Sequence, residues 1–95
     1  MMYDRYQIER IKDHNPIVEI VGVDIHLTKR GKIYKSLCPF HQEKTPSFEV
    51  NPEKKFYHCF GCGSHGDQIR WLIEYRHMTF REALTHLVRR AGIEP

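Results

Sequence analysis

Two short knuckles govern how this chain can fold: Cys38-Pro39-Phe40-His41 and Cys59-Phe60-Gly61-Cys62, with seventeen residues between them. Two residues between ligands let a tight turn bring both side chains onto one ion. Two such pairs around a hairpin-length insert make a strong zinc signal, with Cys38, His41, Cys59 and Cys62 as the metal ligands. Three thiolates and an imidazole suit Zn²⁺. Four protein ligands complete a tetrahedron and leave no place for a reactive water, so the site reads as structural. Pro39 stiffens the first knuckle. Gly61 and Gly63 allow positive φ in the second and bring backbone N–H groups near the thiolates.

Competing uses of these residues fit less well. Cys59-x2-Cys62 alone could be a redox pair or thiol switch, but such pairs normally sit in a βαβ setting. An iron–sulfur cluster usually takes four thiolates, and the chain has three cysteines. His14, His26, His58, His65, His77 and His86 read as surface or packing residues. His58 and His65 stand nearest the knuckles but lack the paired spacing.

A chain of 95 residues suits one domain, spanning residues 1–95, and a domain this small gains from a metal staple. No apolar run approaches the roughly 20 residues that span a bilayer. The N-terminus is too polar for a signal peptide. A cytoplasmic location is therefore expected, and in that reducing compartment an odd cysteine count favours a metal site or a reactive thiol over a disulfide framework.

The pattern along the chain is α+β: a zinc ribbon on a small antiparallel β-sheet, flanked by short N-terminal helices and two C-terminal helices. Asp4 and Gln7 stand at capping-box spacing, with Ile8 and Ile11 facing inward. Asn15 caps a second short helix that Pro16 begins, with Ile17, Ile20 and Val21 on one side and Gly22 as its stop. Val23, Ile25 and Leu27 alternate with polar residues as a strand would, and Arg30-Gly31 turns it into a return strand over 33–37. Further strands are expected over 47–50 and 56–59, joined at Asn51-Pro52. Asp67 caps a helix carrying Ile69, Leu72 and Ile73. Thr79 and Glu82 form a second capping box, Met78 and Ala83 a hydrophobic staple, and Leu84, Leu87, Val88 and Ala91 one apolar face ended by Gly92.

Net charge is a modest +3, so distribution matters more. Lys29, Arg30, Lys32 and Lys35 crowd one window, with no acid between Asp24 and Glu43. Inside the insert, Lys44, Lys54 and Lys55 accompany Phe48, Phe56, Tyr57 and Phe60. Cations for phosphates and flat rings for bases are what single-stranded nucleic acid requires. The plainer reading puts Phe48 and Phe60 in the core and uses the lysines to keep a sheet edge soluble.

Cys38 to Phe48 with Val50, and Lys54 to Asp67, resemble the zinc-binding domain at the N-terminus of bacterial-type DNA primases. The likeness takes in Glu43, Thr45, Pro46 and Ser47 and extends to Ile17–Val21, Lys29–Lys35 and Thr79–Gly92. It implies a module that engages a single-stranded DNA template and helps choose where RNA primer synthesis starts. It implies template contact at Lys29, Arg30, Lys32, Lys44 and Lys54, with Pro46 and Tyr57 beside them. It further implies a primase catalytic core, on the same or a separate chain, and a replicative helicase reached through the full primase. The chain departs from a whole primase in having scattered acids, no Asp-x-Asp pair and no glycine-rich phosphate loop. It is therefore expected not to be an enzyme by itself, whether an excised domain or a stand-alone relative. The alternative is a zinc-ribbon interaction module regulating a replication or transcription partner.

Overall fold

The structure, a computed structural model, describes residues 3–93. The first helix, α1 (Arg5–Asp13), starts at a reciprocal capping box, in which the Gln7 amide donates to Asp4 Oδ1 at 2.8 Å and the Asp4 amide to Gln7 Oε1 at 2.9 Å. After α2 (Ile17–Gly22) come β1 (Thr28–Arg30), β2 (Ile33–Ser36), β3 (Phe48–Asn51), β4 (Phe56–Cys59) and the two-residue β5 (His65–Gly66). Helices α3 (Gln68–Arg76) and α4 (Phe80–Ala91) follow. The five strands pair antiparallel in the order β1-β2-β3-β4-β5. No helix among the described residues is long and apolar enough to cross a membrane.

Strand alternation gives the sheet two unlike faces. Phe48 and Val50 of β3, and Tyr57 and Cys59 of β4, are buried on the side of the helices. Trp71 of α3 packs its ring on Phe48 and Tyr57, with centroids 5.8 and 5.5 Å away. Helix α2 lies on β3 and α3, while α4 closes over α1 and α3. The capping box at Thr79 and Glu82 starts α4, and Gly92 ends it at φ 67°. The other face of the sheet carries the half-buried Glu49 and His58 and the exposed His65.

Four expectations need correction. Asn15 is not a cap. It is fully buried, and its amide donates to the Ile11 and Leu87 carbonyls at 2.8 and 3.1 Å, tying α1 to α4. Val23 to Leu27 is not a strand. The amides of Asp24 and Ile25 still bond the Val21 carbonyl, and the Asp24 carboxylate is held by Trp71 Nε1 at 2.9 Å and by Arg76. That anchoring bends the segment into a turn and leaves Val23 69% exposed. Gly22 does not stop α2 by a left-handed turn; it is the last helical residue, and Val23 caps the helix in a right-handed conformation. Phe60 is 69% exposed, not core.

Candidate metal centre and nucleic-acid face

Each knuckle follows a strand end. Cys38 comes just after β2, Cys59 is the last residue of β4, and β2 and β4 flank β3. The sheet thus delivers both knuckles to one end of the molecule. One ligand atom each from Cys38, His41, Cys59 and Cys62 lies within 4.8 Å of every other. Cys38 Sγ and Cys62 Sγ are 3.8 Å apart, and Cys59 Sγ is 3.9 Å from His41 Nδ1. A tetrahedron with Zn–S bonds of about 2.3 Å has S···S edges of about 3.8 Å, so the donors fit zinc. Zinc bound here would supply a crosslink between β2 and β4.

Backbone groups are arranged for thiolates. The Phe40 amide donates to Cys38 Sγ at 3.3 Å and the Gly61 amide to Cys59 Sγ at 3.4 Å. Ser64 lies 3.1 Å from Cys62 Sγ and, through side chain and backbone, draws that thiol down to about 6. Cys38 is pushed up to about 12, first by burial and then by the neighbouring Cys59 and Cys62. The buried Cys38 thiol thus resists ionisation on its own, and a divalent metal reverses that preference. The two glycines of the second knuckle act differently. Gly63 takes positive φ, at 83°, whereas Gly61 does not. Gly61 is required by close approach, because a Cβ there would stand 2.8 Å from Ser47 Oγ and 2.9 Å from His41 Nε2.

Glu43 was visible in the sequence but had no assigned role. Its carboxylate accepts from the Cys38 amide at 2.7 Å, the Ser47 amide at 3.1 Å and the Ser47 hydroxyl. It also sits 3.2 Å from His41 Nε2, the ring nitrogen turned away from the thiolates. These donors, with the Ser47 hydroxyl foremost, hold Glu43 below the usual carboxylate range. The signal was there to read, since a ligating histidine generally needs a carboxylate or carbonyl on its second nitrogen.

The expected DNA contacts divide by position. Lys29, Arg30, Lys32, Lys44 and Lys54 are exposed and enter no ion pair among the described residues. Lys32 and Lys54 lie in the turns after β1 and β3, at the end of the sheet away from the knuckles, while Lys44 and Pro46 lie beside the metal end. They do not converge on one spot. Tyr57 is 1% exposed and packs between Phe48 and Trp71, so a base cannot reach its ring and the expected stacking role is withdrawn.

The outward sheet face offers what the sequence reading missed. The register places Thr28, Lys35, Glu49, His58 and His65 side by side across all five strands. The His58 ring lies 4.5 Å from the ring of exposed Phe60 and stacks at 6.1 Å on His65. Arg30 shares this face. A groove of about 550 Å³ runs beside it, lined among others by Arg30, Lys35, Leu37, Thr45 and Pro46.

A closed Cys3His centre on an antiparallel sheet defines a structural zinc ribbon. A family model described as the CHC2 zinc finger matches residues 3–95. The DNA primase of Thermotoga maritima is 50% identical over 93 residues, covering 98% of this chain and 16% of that protein. The DNA primase of Haemophilus influenzae is 45% identical over 87 residues, 92% of this chain and 15% of that one. The crystal structure of the zinc-binding and RNA polymerase domains of Aquifex aeolicus primase matches with a TM-score of 0.87 and 36% identity, over 93% of this chain and 22% of that chain. The chain belongs to the CHC2 zinc-finger family, the zinc-binding module of DNA primases. That module is non-catalytic and distinct from the RNA polymerase domain.

Proposed function

We propose that this chain binds the single-stranded DNA template for a primase and helps set where an RNA primer begins. The observation that carries the reading is the outward sheet face. Its Arg30 stands ready for phosphates, and Lys35 lies beside it in an ion pair with Glu49 at 3.5 Å that a phosphate can compete for. Its Phe60, His58 and His65 rings are placed for bases, and its groove borders Pro46 and the Lys44 loop. Charge with flat rings is the chemistry of sequence-tolerant single-strand binding. Lys32 and Lys54 at the hairpin tips, with Lys29 within β1, serve as peripheral cations. The polymerase chemistry belongs to a primase core, on this polypeptide or another, and the replicative helicase is reached through the assembled primase. All of this suits a cytoplasmic protein.

The competing cations lie on α4. There Arg90 is committed to Glu19 at 2.7 Å and to Asn15 Oδ1 at 3.2 Å, which leaves Arg81 and Arg89 as the rivals. Titrating fluorescent single-stranded DNA at several salt concentrations tests the assignment. Neutralising about three phosphates gives a log K against log salt slope of roughly −2. Arg30→Ala and Lys35→Ala should each lower that slope by a little under one unit, and Phe60→Ala should cost about 1–3 kcal/mol. Loss of binding in Arg81→Ala/Arg89→Ala, with the sheet variants unaffected, would move the site to α4. No salt-sensitive binding by any variant or the parent would instead favour an interaction module for a protein partner.

A further inference from the structure

The carboxylate of Glu43 faces two structures at once. One is His41, whose Nε2 lies 3.2 Å from Glu43 Oε1 while its Nδ1 faces the thiolates. The other is Ser47, which meets both carboxylate oxygens: its hydroxyl donates to the same Oε1 as His41 faces, and its amide donates at 3.1 Å to Oε2, which also accepts from the Cys38 amide at 2.7 Å. Between Glu43 and Ser47 the chain holds only Lys44, Thr45 and Pro46, so these bonds close that segment into a loop. The bracket also reaches the second knuckle. Ser47 Oγ lies 3.5 Å from Cys59 Sγ, and the Ser47 carbonyl accepts from the Phe60 amide at 2.9 Å. Lys44, Thr45 and Pro46 are all exposed, so burial does not hold the loop in place.

We infer that Glu43 is a positioning residue that links zinc to the DNA-facing loop, holding the His41 ring for the metal through Oε1 and fixing Lys44, Thr45 and Pro46 through the Ser47 hydroxyl and amide. The loop half of this inference rests on the template-binding reading above. The physical reason is one of counting. An ionised carboxylate is acceptor-only and can take four hydrogen bonds, and here four donor groups surround it. A glutamine has the same shape but one acceptor oxygen, so Glu43→Gln leaves unmatched either His41 with the Ser47 hydroxyl or the Cys38 and Ser47 amides, and in both cases loosens a metal knuckle and the loop together. Partners that orient a ligating histidine typically matter about 10–100-fold in metal affinity.

The test uses the 95-residue chain loaded with zinc, and with cobalt as a spectroscopic probe. Glu43→Gln should still bind one metal, since all four ligands remain. It should lose that metal to a competing chelator about tenfold or more faster, with a shifted cobalt absorption band. At saturating zinc it should bind single-stranded DNA with a salt slope smaller by a little under one unit, the same loss as Lys44→Ala. Adding Lys44→Ala to Glu43→Gln should then change the slope no further. A parent-like chelator rate and cobalt spectrum in Glu43→Gln overturn the inference, whatever happens with DNA. Additive losses from Glu43→Gln and Lys44→Ala overturn the link to the loop. If Lys44→Ala alone leaves DNA binding unchanged while Glu43→Gln still loses metal quickly, the template-contact reading for this loop fails and the metal-positioning role of Glu43 stands. Should Glu43→Gln not fold with zinc, Glu43→Asp takes its place, keeping the charge at shorter reach. It must then release zinc to the chelator faster than the parent, and a parent-like rate overturns the inference equally.

Discussion

At the scale of single residues, Gly61 shows how much one missing Cβ can decide. The second knuckle passes so close to His41 and Ser47 that an added Cβ would fall 2.9 and 2.8 Å from them. Gly61→Ala must therefore displace a zinc ligand or break the bracket at Ser47. We expect zinc affinity to fall by about tenfold, read by chelator competition. Gly31→Ala is the informative control. Nothing stands near its Cβ, but its φ of 65° is strained for alanine. It should cost about 1–2 kcal/mol of stability with zinc affinity unchanged. Equal zinc loss in both variants would mean that general destabilisation, not contact with His41, is responsible.

Among the secondary elements, α4 is the one whose ends and face were most plainly written. Its Thr79 side chain accepts from the Glu82 amide at 3.1 Å, and the Glu82 side chain returns the bond at 2.8 Å. Thr79→Ala should cost about 1 kcal/mol, a fall of roughly 4–8 °C in Tm for a domain of this size. The same helix carries His86, whose protonation is opposed first by burial and then by the charges of Arg76 and Arg90, with Asp24 pulling weakly the other way. Its folded pKa therefore lies below the ordinary value near 6.5. The unfolded chain takes up a proton first as pH falls, so stability is full above about pH 6.5 and declines as pH drops toward the folded value. His86→Gln should flatten that part of the decline below about pH 6.5 in zinc-saturated melts. An unchanged slope would show that His86 contributes nothing to it.

For the whole molecule, the metal and the core are neighbours. Phe40, inside the first knuckle, sits 5.6 Å from the Trp71 ring, and Trp71 is fully buried. Structural zinc contributes on the order of 10–16 kcal/mol in small domains, comparable to the roughly 5–15 kcal/mol that a whole domain has. Chelation should therefore loosen the core as well as the knuckles. The expected signs are a red shift of Trp71 fluorescence together with loss of the thermal transition in circular dichroism, both restored by added zinc. Cys59→Ser should reproduce the chelated state. A parent-like melt after complete zinc removal would show that the core stands without the metal.

Local chemistry was enough to define the ligand set, because knuckle spacing is a property of a few consecutive residues. The same holds for the capping boxes at Asp4 and Thr79, and for β4, whose range of Phe56–Cys59 falls where it was expected. What depends on distant parts of the chain was not readable. Asn15 looks like a helix cap until the Leu87 carbonyl, far along the chain, takes its amide. The Val23–Leu27 alternation looks like a strand until Trp71 and Arg76 capture Asp24. Tyr57 and Phe60 are both aromatic and near the ligands, and only the side of the sheet each occupies decides that one is core and the other is open to a base. Side-chain period fixes alternation but not which face the helices will cover. That choice belongs to the packing of α2 and α3, and it is what leaves Arg30, Lys35, His58 and His65 together on the solvent side.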